Sequence, residues 1–367
     1  MEIGGWAYLG IFAATLLLVW ALTPLAIRIA RSSGFLDHPS LIKSHSSPMP
    51  YLGGVALLVT FSAAVLTAAL INPPKDGLGE LTLILGLGLG LSLMGLADDL
   101  RGLNHWLRLA VEAGAALVLF VAGVQVLLFE HTLIDATLTV LWIVGITNAF
   151  NLLDNMDGLS AGVAAISAFF FFLIAALNGQ FLVAGLSIAM VGCALGFLRH
   201  NFHPAKIYMG DAGSLYLGFL LAVIGLKLRF DSPKQITFMV PILVLGIAIF
   251  DTALVVLTRL INRKSPWSGG RDHTSHRLIF VGLPVRVAVS LIFAGQIALG
   301  WLALLMSRID VVSGYVLMGF VLAAACFFGI LLGLVPVHER STRRRMMIQE
   351  VEKHEEGTAE RNVADHP

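Results

Sequence analysis

The sequence predicts an all-α protein, a polytopic bundle of about eleven transmembrane helices with its N-terminus outside and its C-terminus in the cytoplasm. Three observations carry that prediction. Of 367 residues, 57% are hydrophobic and only 13% charged, whereas a soluble domain carries roughly 25% charge. Apolar stretches recur from one end of the chain to the other, which excludes a soluble domain on a single anchor, and the mean hydropathy is +0.86. Basic residues fall mainly in one alternate set of the connecting loops, and such a bias orients a membrane protein.

A bilayer core takes about 20 apolar residues per helix. The first run, 5–27, is preceded by Glu2 and followed by Arg28 and Arg31. That charge order is the reverse of a cleaved signal peptide's, so the run reads as a retained helix that starts outside. Runs at 51–71 and 81–97 follow, the third ending on Asp98 and Asp99. Those at 107–128 and 133–150 come next, the second of them leading into NAFNLLDNMDG. The pair 159–177 and 180–198 is joined by little more than Asn178 and Gly179, as in a tight helical hairpin. Segment 213–229 opens within IYMGDAGS, 236–260 precedes GGRDHTSHRL, and 285–306 and 312–336 complete the set. Residues 1–337 thus read as one integral membrane domain, and the charged stretch 338–367 as a cytoplasmic tail. With the N-terminus outside, nineteen Lys and Arg fall inside and five outside: Lys75, Lys227, Arg229, Lys234 and Arg308.

Cys193 and Cys326, the only cysteines, both lie in apolar segments, so neither a structural disulfide nor a zinc site is expected. Nothing resembles a nucleic-acid-binding patch. The acidic and histidine residues without an evident solubility role collect at the inner ends of spans. KSHSSPMPYLGG places Lys43 before a Pro/Gly-Gly turn, and Asp98-Asp99-Leu-Arg101-Gly ends the third span. NAFNLLDNMDG contributes Asn148, Asn151, Asp154, Asn155 and Asp157, with the three asparagines spaced to share one helix face. IYMGDAGS is centred on Asp211, and the last loop holds Arg271, Asp272, His273, His276 and Arg277.

Adjacent aspartates at a helix end are often merely solvated, and a Gly-rich turn is often only a connection. Ionisable residues at membrane depth, however, cost about 2.5–3.5 kcal/mol each on insertion scales and normally face a polar cavity. His273 and His276 have the spacing of a zinc pair, but no cysteine or third histidine is near; contact with phosphate is the more natural reading. The remaining ligands are hard oxygens, a set that suits Mg²⁺ held by one or two carboxylates plus substrate phosphates. Lys43, Arg271, His273, His276 and Arg277 supply positive charge for a diphosphate. Together these features imply phosphoryl transfer involving a lipid at a membrane surface.

In this order, the motifs resemble those of the polyprenyl-phosphate N-acetylhexosamine-1-phosphate transferases, the glycosyltransferase 4 family, with the WecA/TagO-type undecaprenyl-phosphate GlcNAc-1-phosphate transferases as the nearest branch. The resemblance spans roughly residues 20–300. It implies a UDP-amino sugar donor, an undecaprenyl (polyprenyl) phosphate acceptor, Mg²⁺ (or Mn²⁺ in its place), a cytoplasmic active site in the plasma membrane and, on family grounds, a homodimer. Residue by residue, it puts catalysis on Asp98, Asp99 and Asp211, with metal on Asp211 and Asn151. It assigns nucleotide and substrate contact to Asn148, Asn151, Asp154 and Asp157, and phosphate contact to Lys43, Arg271, His273 and His276. Asp98 would deprotonate or orient the lipid phosphate in a single displacement, with a covalent aspartyl route as the competing version.

Two departures matter. Position 102 is Gly, so no DDxxD cluster exists, and the histidine loop lacks three consecutive histidines. The second favours a simple UDP-amino sugar over the UDP-MurNAc-pentapeptide used by the phospho-MurNAc-pentapeptide transferases of the same family. Asp251, inside the ninth span, either lines the inner cleft and orders the histidine loop or partners another span. A membrane transporter is the alternative from a different class. It would be expected to show internal repeats and polar groups near the bilayer midplane, whereas the sequence shows no convincing repeat and its polar motifs sit at the inner ends of spans.

Overall fold

The computed structural model describes residues 5–38, 47–71, 77–230 and 234–337. Lys43 and the tail 338–367 lie outside them. The described residues form thirteen helices and one pair of two-residue strands: α1 Gly5–Ser33, β1 Leu36–Asp37, β2 Met49–Pro50, α2 Gly53–Ile71, α3 Leu78–Arg101, α4 His105–Val121 and α5 Thr132–Leu153. α6 Leu159–Leu177, α7 Phe181–Asn201, α8 Gly210–Lys227, α9 Lys234–Val244, α10 Gly246–Ile261, α11 Thr274–Phe280, α12 Val285–Met306 and α13 Val311–Gly333 complete the set.

The middle of the bundle is α8, buried along nearly its whole length and packed against α2, α3, α5 and α6. α7 joins α6 as the expected hairpin and carries α1 on its other side. The outermost helix, α13, buries only Gly314 and exposes Phe320, Leu322, Phe327 and Ile330. Large apolar side chains facing outward on a helix this long are explained by lipid as solvent, not water. The chain is a multi-pass membrane protein.

The helix count differs from the eleven expected. Among the described residues, nine helices are long and apolar enough to cross a bilayer, or ten if one bent pair counts as a single span. That pair is the predicted 236–260 span, bent by 76° between Val244 and Gly246. Pro241 lies inside α9 and lacks an amide hydrogen, so the ladder is already interrupted there. The polar groups freed at the break are taken up by neighbouring helices, as must happen where no water is available. Gln296 of α12 donates to the Val244 carbonyl at 2.6 Å and accepts from the Ile247 amide at 3.3 Å. Ser167 of α6 adds a second donor to Val244 at 2.9 Å.

The predicted 107–128 span is the other departure, because α4 stops at Val121 after 17 residues. The chain then runs as non-helical backbone that α5 supports from its buried polar residues. Asp135 accepts from the Phe129 amide at 3.1 Å and Thr139 from the Val126 amide at 3.0 Å.

Candidate active site

Four helix ends meet on one side of the bundle and build a cleft of about 470 Å³ lined by Asp37, Tyr51, Asp99, Asp154, Asn155, Asp157, Tyr208, Asp211, Arg271 and His276. The opposite end holds a separate polar group, in which Lys227 pairs with Glu80 and the Arg229 amide donates to Gln180 at 2.9 Å. Charged residues therefore sort to two ends of an apolar bundle, as the loop charges predict.

The cleft floor depends on α8 approaching its neighbours more closely than ordinary side chains permit. A Cβ on Gly95 of α3 would stand 2.5 Å from the Asp211 carbonyl, and one on Gly54 of α2 would collide with the backbone of Gly213. Missing side chains at these two positions bring the C-terminal part of α3 and the N-terminus of α2 to the α8 N-terminus. Asp99 then caps α8, accepting from the Asp211 amide at 3.1 Å and the Ala212 amide at 3.4 Å. A carboxylate at that place is favoured by the unpaired amides and by the helix dipole. Asp98, one residue earlier, accepts from the Leu103 amide and from Arg108.

Asp211 is the centre of the arrangement. Its Oδ1 accepts from Asn151 Nδ2 at 2.8 Å and its Oδ2 from Arg108 Nη1 at 3.0 Å. Asn151 also donates to Ser214 Oγ at 3.0 Å, and its own Oδ1 accepts from Arg108 Nη2 at 3.0 Å. One guanidinium thus binds Asp98, Asp211 and Asn151 together.

The remaining assigned residues divide. Asp154 caps α5 and lines the cleft. Burial, then the charges of Asp211, Asp99 and Asp157, push its carboxyl up to about 8. Asp157 also lines the cleft, and its Oδ2 lies 2.8 Å from His203 Nδ1 and accepts from the Ala205 amide at 3.0 Å. Asn148 is not brought to the cleft: it donates to Glu112 of α4 and to the Val144 carbonyl. The shared face expected for the three asparagines is also incomplete, because α5 ends at Leu153. Asn155, beyond that end, accepts from Ser275 at 2.6 Å and so ties the α5 terminus to the histidine loop.

That loop sends Arg271 and His276 to the cleft but not His273. His273 is buried with its Nδ1 2.8 Å from Asp251 Oδ2, and the Thr274 amide donates to the same carboxylate at 2.6 Å. Asp251 therefore orders the histidine loop from within α10. Asp272 is clamped by both arms of Arg259, at 2.8 and 2.7 Å. Arg277 donates to the Asp272 carbonyl at 2.7 Å and to the Leu332 carbonyl of α13 at 2.8 Å. Burial, followed by the neighbouring His273 and Arg271, pushes His276 down to about 4, so its ring is neutral at pH 7.

Sequence reasoning missed Arg108, Glu112 and Tyr208 as site residues. Two left a trace: Arg108 opens an apolar run ten residues after Asp98, and Glu112 is the only carboxylate within it.

Comparison with known proteins is consistent with this geometry. The family model described as glycosyl transferase family 4 matches residues 81–229, the segment that carries Asp98, Asp99, Asn151, Asp154 and Asp211. A probable undecaprenyl-phosphate N-acetylglucosaminyl 1-phosphate transferase of Bacillus subtilis is 34% identical, over 77% of this chain and 80% of its own length. The chain belongs to glycosyltransferase family 4. Another similar protein is the decaprenyl-phosphate N-acetylglucosaminephosphotransferase of Mycolicibacterium smegmatis, 31% identical over 75% of this chain and 76% of the relative. A phospho-N-acetylmuramoyl-pentapeptide-transferase of Bacillus pumilus is 32% identical but covers only 58% of this chain and 68% of its own. Membership in this family sets the transporter reading aside.

Proposed function

We propose that the protein transfers GlcNAc-1-phosphate from UDP-GlcNAc to undecaprenyl phosphate at the cytoplasmic face of the plasma membrane, starting a cell-envelope glycan. The observation that carries the reading is the convergence of Asp98, Asp99 and Asn151 on Asp211, inside the segment that matches the family, with Asp99 and Asp211 lining the cleft. The names of the Bacillus subtilis and Mycolicibacterium smegmatis relatives suggest the donor sugar and the class of lipid. An oxygen of the lipid phosphate attacks the β-phosphorus of the donor. The bond from that phosphorus to the bridging oxygen breaks, UMP leaves, and a lipid diphosphate sugar remains.

The donor set fits Mg²⁺. Every candidate ligand is a hard oxygen, and the guanidinium of Arg108 already occupies the place of a cation between Asp98, Asp211 and Asn151. Among the described residues, no three His, Cys, Asp or Glu side chains close around a single point, so a bound ion would need substrate phosphates and water as further ligands. Asp211 and the Asn151 carbonyl oxygen would hold it, and when bound it would neutralise charge developing on the diphosphate. Asp99, occupied by two amides of α8, fixes the height of Asp211 within the cleft. Asp98 stands beside the same cluster, where it can orient the attacking phosphate. Arg271 and neutral His276 face the donor from the histidine loop, and the loop's fixed geometry supplies the positioning on which phosphoryl transfer depends. Lys43 would meet the lipid phosphate.

The test is an assay of membranes containing the protein with radiolabelled UDP-GlcNAc, Mg²⁺ and undecaprenyl phosphate. Release of UMP with label in a lipid product is expected. Product formed only from another UDP-sugar, UDP-MurNAc-pentapeptide included, would remove the GlcNAc assignment.

A further inference from the structure

Two facing polar rungs connect α4 and α5. On the first, at the cleft, Arg108 donates to Asn151 at 3.0 Å while also holding Asp98 and Asp211. On the second, Asn148 donates to Oε2 of Glu112. Residues 108 and 112 are one helical turn apart on the same face of α4, and 148 and 151 are likewise stacked on α5. Glu112 is fully buried, and its other oxygen, Oε1, has no hydrogen-bond partner. An orphaned carboxylate oxygen in the apolar part of a bundle is costly, and the arginine one turn above is a donor able to satisfy it.

The geometry points to Arg108 as a two-position cation. Before a divalent ion arrives it sits among Asp98, Asp211 and Asn151 and keeps them assembled; when the ion binds it withdraws along α4 to Glu112 Oε1. The exchange follows from the atoms involved. The Asn151 oxygen and Asp211 Oδ2 are the acceptors that Arg108 uses, and the same acceptors would face the ion. Both cations cannot hold them at once. Without Arg108, the carboxylates of Asp98, Asp99 and Asp211 would repel one another in a partly dehydrated site. Without Glu112, the displaced guanidinium would have no acceptor at its new depth. The inference rests on the metal site proposed above.

The experiment measures Mn²⁺ binding to the purified full chain in nanodiscs, without donor or lipid phosphate, by electron paramagnetic resonance. Arg108→Gln should tighten Mn²⁺ binding about ten-fold, and Glu112→Gln should weaken it by about the same factor, within the usual span of coupling between linked sites. The double variant should match Arg108→Gln alone, because Glu112 acts only through the arginine. Asp211-dependent binding that Arg108→Gln leaves unchanged or weakens would overturn the inference while the metal site stands. So would an additive double variant. Binding to Asp211→Asn equal to that of the unmodified protein would remove the metal site and this inference together. Should Arg108→Gln fail to fold, Glu112→Gln decides alone: unchanged affinity overturns the two-position cation.

Discussion

Asp154 and His276 face the same cleft with opposite protonation behaviour, and each leaves a distinct mark on stability. The Asp154 carboxyl rises from an ordinary 3.8 to about 8, burial being the main cause. Between those values the folded protein binds a proton that the unfolded chain has released, so stability falls as pH rises through that window. Asp154→Asn should flatten this slope, and the unfolding temperature of the variant should exceed that of the parent more at pH 8 than at pH 5. His276 drops from 6.5 to about 4. Here the unfolded chain binds the extra proton, so stability is lost as pH falls through the interval, and His276→Gln should remove that loss. Thermal unfolding of both variants across pH 4–9 checks the two signs; a common slope for both would contradict the environments described.

At the scale of elements, the bend between α9 and α10 and the clamp on the histidine loop are the features that shape the cleft. Gln296→Leu would leave the Ile247 amide without its partner and take one of two donors from Val244. A loss of about 1–3 kcal/mol is expected for such an unmet buried group, read from unfolding in a denaturing detergent titration. Asp272→Asn should cost more, about 3–5 kcal/mol, because it leaves the Arg259 charge buried without its carboxylate. It should also lower activity by displacing Arg271 and His276. Retained stability with lost activity would place Asp272 in direct substrate contact instead. Neither feature was legible in the sequence. A hydropathy window averages across Pro241 and cannot see that a glutamine 55 residues later closes the gap. The ion pair between Arg259 and Asp272 joins a span to a loop, and nothing in their spacing marks them as partners.

For the whole molecule, the legible part was the class of fold and the set of polar groups at one end of it. Asp98, Asp99, Asn151, Asp154 and Asp211 stood out because carboxylates and amides at the ends of apolar runs are expensive. Arg108 did not, because a cation at the start of a span looks like a topology marker. The same ambiguity makes orientation the decisive global test. The ends of α3 and α5, the start of α8 and the loop after α10 lie together around the cleft, so they must face one compartment. Counted on the eleven expected spans, the nineteen-to-five distribution of Lys and Arg predicts that this compartment is the cytoplasm. Trp267, on the loop after α10, is 51% exposed, and the α6–α7 turn at Asn178 is exposed at the other end. Cys193 is buried and Cys326 exposed, so a Cys326→Ser background leaves little competing thiol. In that background, Asn178→Cys should react with a membrane-impermeant maleimide in intact cells, and Trp267→Cys only after permeabilisation. The reverse pattern would turn the cleft to the outside, where no cytosolic nucleotide sugar could reach it, and would end the proposed reaction. Labelling of both from one side would mean that an odd number of crossings between them is wrong, which places the fault in the bent pair α9 and α10.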